Sequence, residues 1–319
     1  MNWTRLLLVL AAFFVAQAAA AQEGVVRMVL GYPAGATSDI LSRVIAEHMR
    51  GTLGRPIIVE NKPGAGGRIA NDVVKAAAAD GSTLLMTPVA SMAIFPHSYA
   101  GQLRYDPFKD FVPVAHLANF QLGLGVDANV PANTLAEYVA AVKKNPKLGF
   151  YASAAPGSIP HFFGVMFARE AGIEMTHVPY KGTAAAMKAI AASEVSAIST
   201  VAADIATLVK GGRARLLAVS GEKRFALLPD VPTFKEAGYN LVALPWYALF
   251  APAGTPQSAV DQLSRAAIAA IRDPAIHARL EQMGLEPTGL PPAELARIHK
   301  ADYEKWGPVI RASGFKPGG

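Results

Sequence analysis

The stretch Val25-Val26-Arg27-Met28-Val29-Leu30-Gly31-Tyr32-Pro33-Ala34-Gly35-Ala36-Thr37-Ser38-Asp39 decides the fold, because an apolar run passes directly into a loop of small residues. Residues 25–30 predict a buried strand, and apolar residues recur at helical spacing from Ile40 to Met49. A strand that leads through a short loop into a helix is typical of an α/β unit. Helix N-termini carry unpaired N–H groups and partial positive charge, so this loop is a candidate anion site.

A second loop of this kind is Ala154-Ala155-Pro156-Gly157-Ser158-Ile159-Pro160-His161. Residues 147–152 predict the strand that leads into it, and Phe162 to Phe167 mark the face of the following helix. A third unit consists of a strand over 174–178, a loop to Thr183 and a helix over 184–192. The pattern predicts a protein that holds a small carboxylate between two domains.

The remaining segments alternate in the same way. Strands are predicted over 56–60, 82–86, 111–115, 122–126 and 216–219, with an extended segment over 241–250. Helices are predicted over 69–78, 135–142, 258–272, 274–283 and 292–307. Such alternation predicts an α/β fold in which each lobe is a mostly parallel sheet flanked by helices, with ligands at the carboxyl ends of the strands.

Two crossings of the chain, near residues 120 and 246, predict the lobes. Lobe 1 would contain residues 22–120 plus 247–319, and lobe 2 residues 121–246. This is the layout of a hinged clamshell that closes around a ligand.

The N-terminus predicts export. A weakly positive start precedes an apolar run over 6–15, and Ala19-Ala20-Ala21 fits the small-residue cleavage pattern. The alternative is a membrane anchor, but a spanning helix needs about 20 apolar residues, more than this run supplies. We therefore predict a signal peptide over 1–21 and a periplasmic mature chain.

Composition limits the partners. The formal net charge of +6 is spread along the chain without a basic cluster interleaved with aromatic residues, so it does not indicate nucleic acid. There are no cysteines, and a chain of 319 residues can bury enough core without disulfides. We expect a monomer.

Catalytic motifs are missing from the sequence. Gly157-Ser158 lacks the G-x-S-x-G elbow of a nucleophile, and residues 64–69 miss the last glycine of the dinucleotide fingerprint. Lys181-Gly182-Thr183 has the P-loop residues in the wrong order, and the histidines form no H-E-x-x-H motif. We predict no enzyme, no cofactor and no metal.

Nine stretches occur in an order that resembles the Bug family of extracytoplasmic solute receptors, the binding components of tripartite tricarboxylate transporters. They are 35–39, 60–67, 80–85, 105–111, 151–153, 157–161, 177–182, 228–233 and 251–256. The resemblance implies a two-lobed type II periplasmic-binding (Venus flytrap) fold and delivery of the ligand to membrane permease subunits. It also implies a ligand carboxylate held by backbone N–H groups, hydroxyls and ordered waters.

Carried over by position, the contacts of the family fall on the two loops. The first-loop contacts are Ala36, Thr37, Ser38 and Asp39, and the second-loop contacts are Gly157, Ser158 and His161. Tyr32 is a further candidate for lining the cleft because it follows a strand. The candidates at the far end, where selectivity is set, are Thr87, Ser91, Phe95, Tyr180, Thr200 and Asp204, and Lys181 is a further candidate in the loop after the strand over 174–178.

Several of these residues also allow a simpler interpretation. Thr37, Ser38 and Ser158 are residue types that cap helices, and His161 is of a type more often packed than ligand-binding. Asp39 would repel an anionic ligand, so we expect it to orient the first loop. Lys181 is as compatible with an exposed position as with the cleft.

The chain departs from the family pattern at two places. Ala36-Thr37-Ser38 replaces a Gly-Gly-x-Thr tendency, which narrows the space above the backbone, and Thr200 replaces a frequent acidic residue. If Thr200 faces the cleft, an ammonium group lacks its counter-charge, so a dicarboxylate, keto acid or aromatic acid is favoured over an amino acid. The alternative function is a periplasmic sensing subunit that presents the carboxylate to a two-component receptor.

Overall fold

The computed structural model describes residues 24–180 and 182–317. The predicted signal peptide over 1–21 and the predicted site residue Lys181 therefore lie outside the described residues. Within the described ranges, no helix has the length and apolar character needed to cross a membrane.

Strands and helices alternate along most of the chain. The strands are β1 (Val26–Leu30), β2 (Ile57–Asn61), β3 (Thr83–Pro88), β4 (Phe111–Phe120), β5 (Leu122–Asp127), β6 (Phe150–Ser153), β7 (Thr176–Pro179), β8 (Ala197–Val201), β9 (Ala214–Val219), β10 (Trp246–Pro252) and β11 (Leu285–Leu290). The helices are α1 (Thr37–Leu53), α2 (Arg68–Lys75), α3 (Phe95–Ser98), α4 (Leu135–Lys144), α5 (Ile159–Ala171), α6 (Thr183–Ala191), α7 (Ala202–Lys210), α8 (Gln257–Arg272), α9 (Pro274–Gln282) and α10 (Pro292–Ala312).

The strands form two sheets. The first has the order β11-β4-β10-β3-β1-β2, and the second has the order β7-β6-β8-β5-β9. Parallel pairing links β1 to β2 and β3, and β6 to β7 and β8, as strands joined by helical crossovers require. Helices cover these sheets, with α1 packed against α8 and α10 against β4.

The expectation of mostly parallel sheets is wrong, because both sheets are mixed. In the first sheet β10 is antiparallel to β3 and β4, and β11 to β4. In the second sheet β5 is antiparallel to β8 and β9. The cause is the chain path: β4 leads through Gln121 into β5 of the other sheet, and β10 later brings the chain back, so β4 and β10 run in opposite directions.

Some strands differ from the prediction for reasons found in the sequence nearby. Residues 147–149 belong to a 3-10 turn instead of the predicted strand, because Pro146 starts a turn in which the Asn145 side chain accepts a hydrogen bond from the Lys147 N–H group. Strands β8 and β11 were not predicted, since hydroxyl residues or proline interrupt their apolar pattern. Residues 241–245 precede β10 as irregular backbone.

The sheets recruit different parts of the chain. Residues 26–120 and 246–290 supply the first sheet, and residues 122–219 supply the second. The division into two lobes at the boundaries given above remains a prediction with which these memberships agree. Where the chain crosses, the rings of Phe120 and Tyr247 stack at 4.9 Å between centroids, and the Ala202 N–H donates to the Gln121 carbonyl at 2.8 Å.

Parallel pairing decides where the loops gather. The carboxyl ends of β6, β7 and β8 lie at one edge of the second sheet, so the loops that follow them lie side by side. The carboxyl ends of β1, β2 and β3 do the same in the first sheet. These two edges supply the loops of the candidate site.

Candidate functional site

Asp39 organises the first loop. Its carboxylate accepts hydrogen bonds from the Gly35 N–H at 2.9 Å and from Asn61 Nδ2 at 2.9 Å, and it pairs with Arg43 Nη2 at 2.9 Å. Burial alone would raise the pKa of Asp39, but the hydrogen bonds and the Arg43 charge outweigh burial and lower it to about 2. Because Asn61 Nδ2 also donates to the Tyr32 carbonyl at 2.9 Å, one buried carboxylate fixes both ends of the loop.

The start of α1 has unpaired N–H groups. The N-cap residue is Ala36, whose side chain makes no capping bond, so the interpretation of Thr37 and Ser38 as caps is wrong. Among the described residues no acceptor receives the backbone N–H groups of Thr37, Ser38 or Asp39. Such a row of free donors at a helix N-terminus is the arrangement that binds an anion.

A glycine loop after β2 forms the neighbouring wall. A Cβ atom on Gly31 would lie 2.3 Å from Gly67 Cα, so the two loops approach too closely for any side chain there. The Tyr32 hydroxyl donates to the Gly66 carbonyl at 3.2 Å. Burial raises the pKa of Tyr32, which keeps this half-buried phenol a neutral donor.

The second loop is closed by its own hydrogen bonds. Ser158 caps α5: its Oγ accepts from the His161 N–H at 3.4 Å and donates to the Ala155 carbonyl at 2.7 Å. The Gly157 N–H donates to His161 Nδ1 at 3.1 Å. The Gly157 donor is therefore engaged, and the N–H groups of Ser158 and Ile159 remain without an acceptor among the described residues.

His161 is packed, in agreement with the simpler interpretation. Its ring stacks on that of His177 at 4.0 Å between centroids, and His177 Nε2 lies 2.7 Å from Ser153 Oγ. Burial lowers the pKa of His161 to about 4, and burial together with His161 lowers that of His177 to about 3. Both rings are neutral at neutral pH.

The second loop also contacts elements that border the first sheet. Ser98 Oγ donates to the Gly157 carbonyl at 3.5 Å, and the Tyr99 hydroxyl lies 3.5 Å from the Pro156 carbonyl. The ring of Phe315 packs beside Gly157, where an added Cβ would meet it at 2.7 Å. The Arg68 guanidinium lies 4.0 Å from the centre of the Tyr99 ring. The second loop thus lies beside residues that adjoin the glycine loop, since Arg68 also donates to the Ala65 carbonyl at 2.8 Å.

Asp204 lies at the same edge of the second sheet as the second loop, because β8 runs parallel to β6. It lies in the first turn of α7, immediately after β8, and its side chain is half-buried. Burial raises the pKa of Asp204 to about 6. Burial also raises the pKa of Tyr247, and the charges of Tyr32 and Asp204 add to that shift. Sequence reasoning missed Tyr247 as a site residue; its only signal was the extended crossing segment.

Four other predicted far-end residues are buried or packed within the fold. Thr87, Ser91 and Thr200 are at most 2% exposed, and Thr200 lies inside β8. Tyr180 packs against the cluster that includes Ala186 and Ile190, where burial and then Glu194 raise its pKa. Within the described ranges no group of three or more His, Asp or Glu side chains is arranged to hold a metal ion.

The sequence profile of the tripartite tricarboxylate transporter family receptor, TctC, matches residues 41–315. The chain belongs to this receptor family. Its similarity to BugT of Bordetella pertussis is 29% identity over 324 residues, covering 99% of each chain, so the resemblance to the Bug proteins is confirmed.

Two solved structures of TctC relatives confirm the two-lobed α/β fold. The protein Rpa4515 of R. palustris, determined with adipate, is 30% identical, with a TM-score of 0.83 over 91% of this chain and 97% of that one. MatC from Rhodopseudomonas palustris, with bound malate, is 29% identical, with a TM-score of 0.78 over 90% and 98%. TctC proteins are periplasmic solute receptors, which confirms that this chain is not an enzyme.

Proposed function

We propose that this TctC receptor captures a small carboxylate between its lobes and delivers it to the permease subunits of a tripartite transporter. The observation that carries the proposal is the set of free N–H groups at the start of α1, held in place by Asp39. In this proposal they face the second helix start, at Ser158, across the cleft between the lobes. The adipate and malate in the related structures are ligands of the same chemical class.

The grip needs no ion pair. In our proposal the N–H groups and hydroxyls of Thr37 and Ser38 donate to one ligand carboxylate, and an ordered water bridges it to the loop. Ser158 contributes from the opposite side, once its hydroxyl turns from the Ala155 carbonyl toward the ligand. Asp39 and His161 act as positioning residues, because their polar atoms are engaged within the loops.

The buried position of Thr200 bears on the predicted class of ligand. Preference for a dicarboxylate, keto acid or aromatic acid over an amino acid rested on Thr200 facing the cleft, and this side chain is 1% exposed inside β8. The preference therefore loses its basis, and we propose here only that the ligand carries a carboxylate. We further propose that the mature protein is a periplasmic monomer, released by cleavage after Ala21.

A thermal-shift screen of residues 22–319, refolded to remove carried-over ligand, tests the function. Mono-, di- and tricarboxylates, aromatic acids, amino acids and sugars are compared, with the amide of each acid as its matched control. A ligand at a hundred times its Kd adds about 2.7 kcal/mol to the free energy of unfolding, a shift of a few degrees. We expect stabilisation by a carboxylate and none by its amide. If no acid stabilises the protein, the proposal is wrong.

A further inference from the structure

The first turn of α7 lies at the junction of the two sheets. The Ala202 N–H donates to the carbonyl of Gln121, the single residue between β4 and β5. A Cβ atom added to Gly284, just before β11, would lie 2.9 Å from Ala203 Cβ. The next residue, Asp204, is thus carried by a segment that contacts the first sheet. This segment follows β8, the parallel neighbour of β6, whose own loop leads to Ser158.

Asp204 and Asp39 are each the third residue of a helix; α7 begins directly after β8, whereas a loop separates α1 from β1. The Asp39 carboxylate has three partners within hydrogen-bond distance, from Gly35, Arg43 and Asn61. No described residue donates to the Asp204 carboxylate or pairs with it. A first-turn acid is ordinarily favoured by the helix dipole, but that interaction does not satisfy the oxygen atoms of a half-buried carboxylate.

We propose that Asp204 is a specificity-determining residue that accepts a hydrogen bond from a hydroxyl or ammonium group at the end of the ligand opposite the gripped carboxylate. This inference rests on the proposed function. A ligand donor satisfies a carboxylate that the protein leaves without one. A second ionised carboxylate at the same place is disfavoured by like-charge repulsion.

The groups around Asp204 define what else titrates there. Tyr247 and Tyr32 are phenols whose pKa values are raised by burial, so both stay neutral. Lys181 follows strand β7, which is separated from β8 by β6, and it lies outside the described residues, so its effect is measured with a Lys181→Met variant. Asp204 is then the group expected to change charge near neutral pH, since its pKa is about 6.

Calorimetry with ligands that differ only at the far end tests the inference. The six-carbon set is hexanoate, 6-hydroxyhexanoate, 6-aminohexanoate and adipate. The corresponding four-carbon set has succinate as its dicarboxylate. At about pH 8 we expect wild type to bind the hydroxy and amino acids about tenfold more tightly than the dicarboxylate, the scale of one charged hydrogen bond. Asp204→Asn should remove most of this preference, and adipate should then bind at least as well.

Control variants separate an effect of Asp204 from effects of other charged residues. Glu294→Gln changes the first-turn acid of α10, which has a 46% exposed side chain, and should leave the preference intact. If the dicarboxylate binds most tightly to wild type, or if the Asp204→Asn ratio stays within twofold of wild type, the inference is wrong while the proposed function stands. If Lys181→Met abolishes the preference as fully as Asp204→Asn, recognition by Asp204 alone is wrong. Binding of none of these acids, nor of any other in the screen, would overturn both.

Discussion

The backbone N–H of Gly157 donates to Nδ1 of His161 at 3.1 Å, so the second loop is tied to the helix that it begins. A nitrogen that accepts a hydrogen bond carries no proton, which fixes the neutral tautomer with the proton on Nε2. Protonation of Nδ1 would place two hydrogen-bond donors, the Gly157 N–H and the His161 Nδ1–H, against each other. The loop is therefore built for pH values at which His161 is neutral.

Mild acid should destabilise the protein through this contact. The pKa of His161 is lowered from an ordinary 6.5 to about 4, so the stabilisation is complete above about pH 6.5 and is lost as pH falls toward 4. We expect roughly 1–2 kcal/mol of unfolding free energy to be lost between about pH 7 and 5. Denaturant unfolding of wild type and His161→Gln measures it, and the variant should have the flatter profile.

His277 provides the control. Its side chain is 44% exposed on α9, so His277→Gln should follow the wild-type profile. If His161→Gln also follows that profile, the acid sensitivity belongs to other groups, and the account given for the Gly157 contact is wrong.

Removing the carboxylate that orders the first loop should cost both stability and binding. The lowered pKa of Asp39, about 2, means that its contribution is present above pH 3.8 and is lost as pH falls toward 2. We expect Asp39→Asn to lower the unfolding free energy by about 2 kcal/mol at neutral pH and to weaken carboxylate binding. Arg43→Met removes only the partner with the 52% exposed side chain and should cost less. Equal binding by Asp39→Asn and wild type would contradict a first-loop grip.

Ser158→Ala separates capping from ligand contact. Loss of the cap should lower the unfolding free energy by about 1 kcal/mol, and loss of the hydroxyl should weaken carboxylate binding by about 1 kcal/mol or more. Thr134 caps α4 in the same way, its Oγ1 accepting the Glu137 N–H at 3.2 Å, and it follows β5 instead of the site loops. Thr134→Ala should reproduce only the first effect. Unchanged calorimetric affinity in folded Ser158→Ala would remove Ser158 from the site.

Sequence reasoning recovered what local pattern determines. β1 and α1 were predicted from the apolar run over 25–30 and from the helical spacing that starts at Ile40. Burial of one face of a helix requires apolar residues at regular intervals, and these are visible in the sequence. The direction of β5 and β10 depends on partners far along the chain, so alternation alone predicted it wrongly. Thr200 is hidden for a similar reason: a hydroxyl residue inside a central strand resembles an exposed one in the sequence.

Only part of the candidate site could likewise be predicted from the sequence. The two helix starts were predictable, since small residues before an apolar helical pattern mark them. The engagement of the Gly157 N–H by His161 was not, because it depends on loop geometry and a φ of +71° at Gly157. Asp204 and Tyr247 are 43 positions apart in the sequence, and the Asp204 charge affects the pKa of Tyr247 only because the chain crosses between the sheets.

Asp204→Asn should stabilise the ligand-free protein. The pKa of Asp204 is raised by burial from 3.8 to about 6, so the folded state binds the extra proton between these values. Its ionisation therefore destabilises the fold as pH rises through this window, fully above pH 6. We expect the variant to gain roughly 2 kcal/mol at about pH 8, less the few tenths lost from the helix dipole, and almost nothing near pH 4.

Denaturant unfolding at both pH values, with Glu294→Gln alongside, measures this gain. Glu294 is also a first-turn acid, but its carboxylate accepts from Arg297 Nε at 3.0 Å, so removing it should bring no gain. A gain that is equal at both pH values would mean that the amide merely packs better. A loss of unfolding free energy at pH 8 would mean that the ionised Asp204 already accepts hydrogen bonds within the folded protein. The ligand would then find no carboxylate that still lacks a donor.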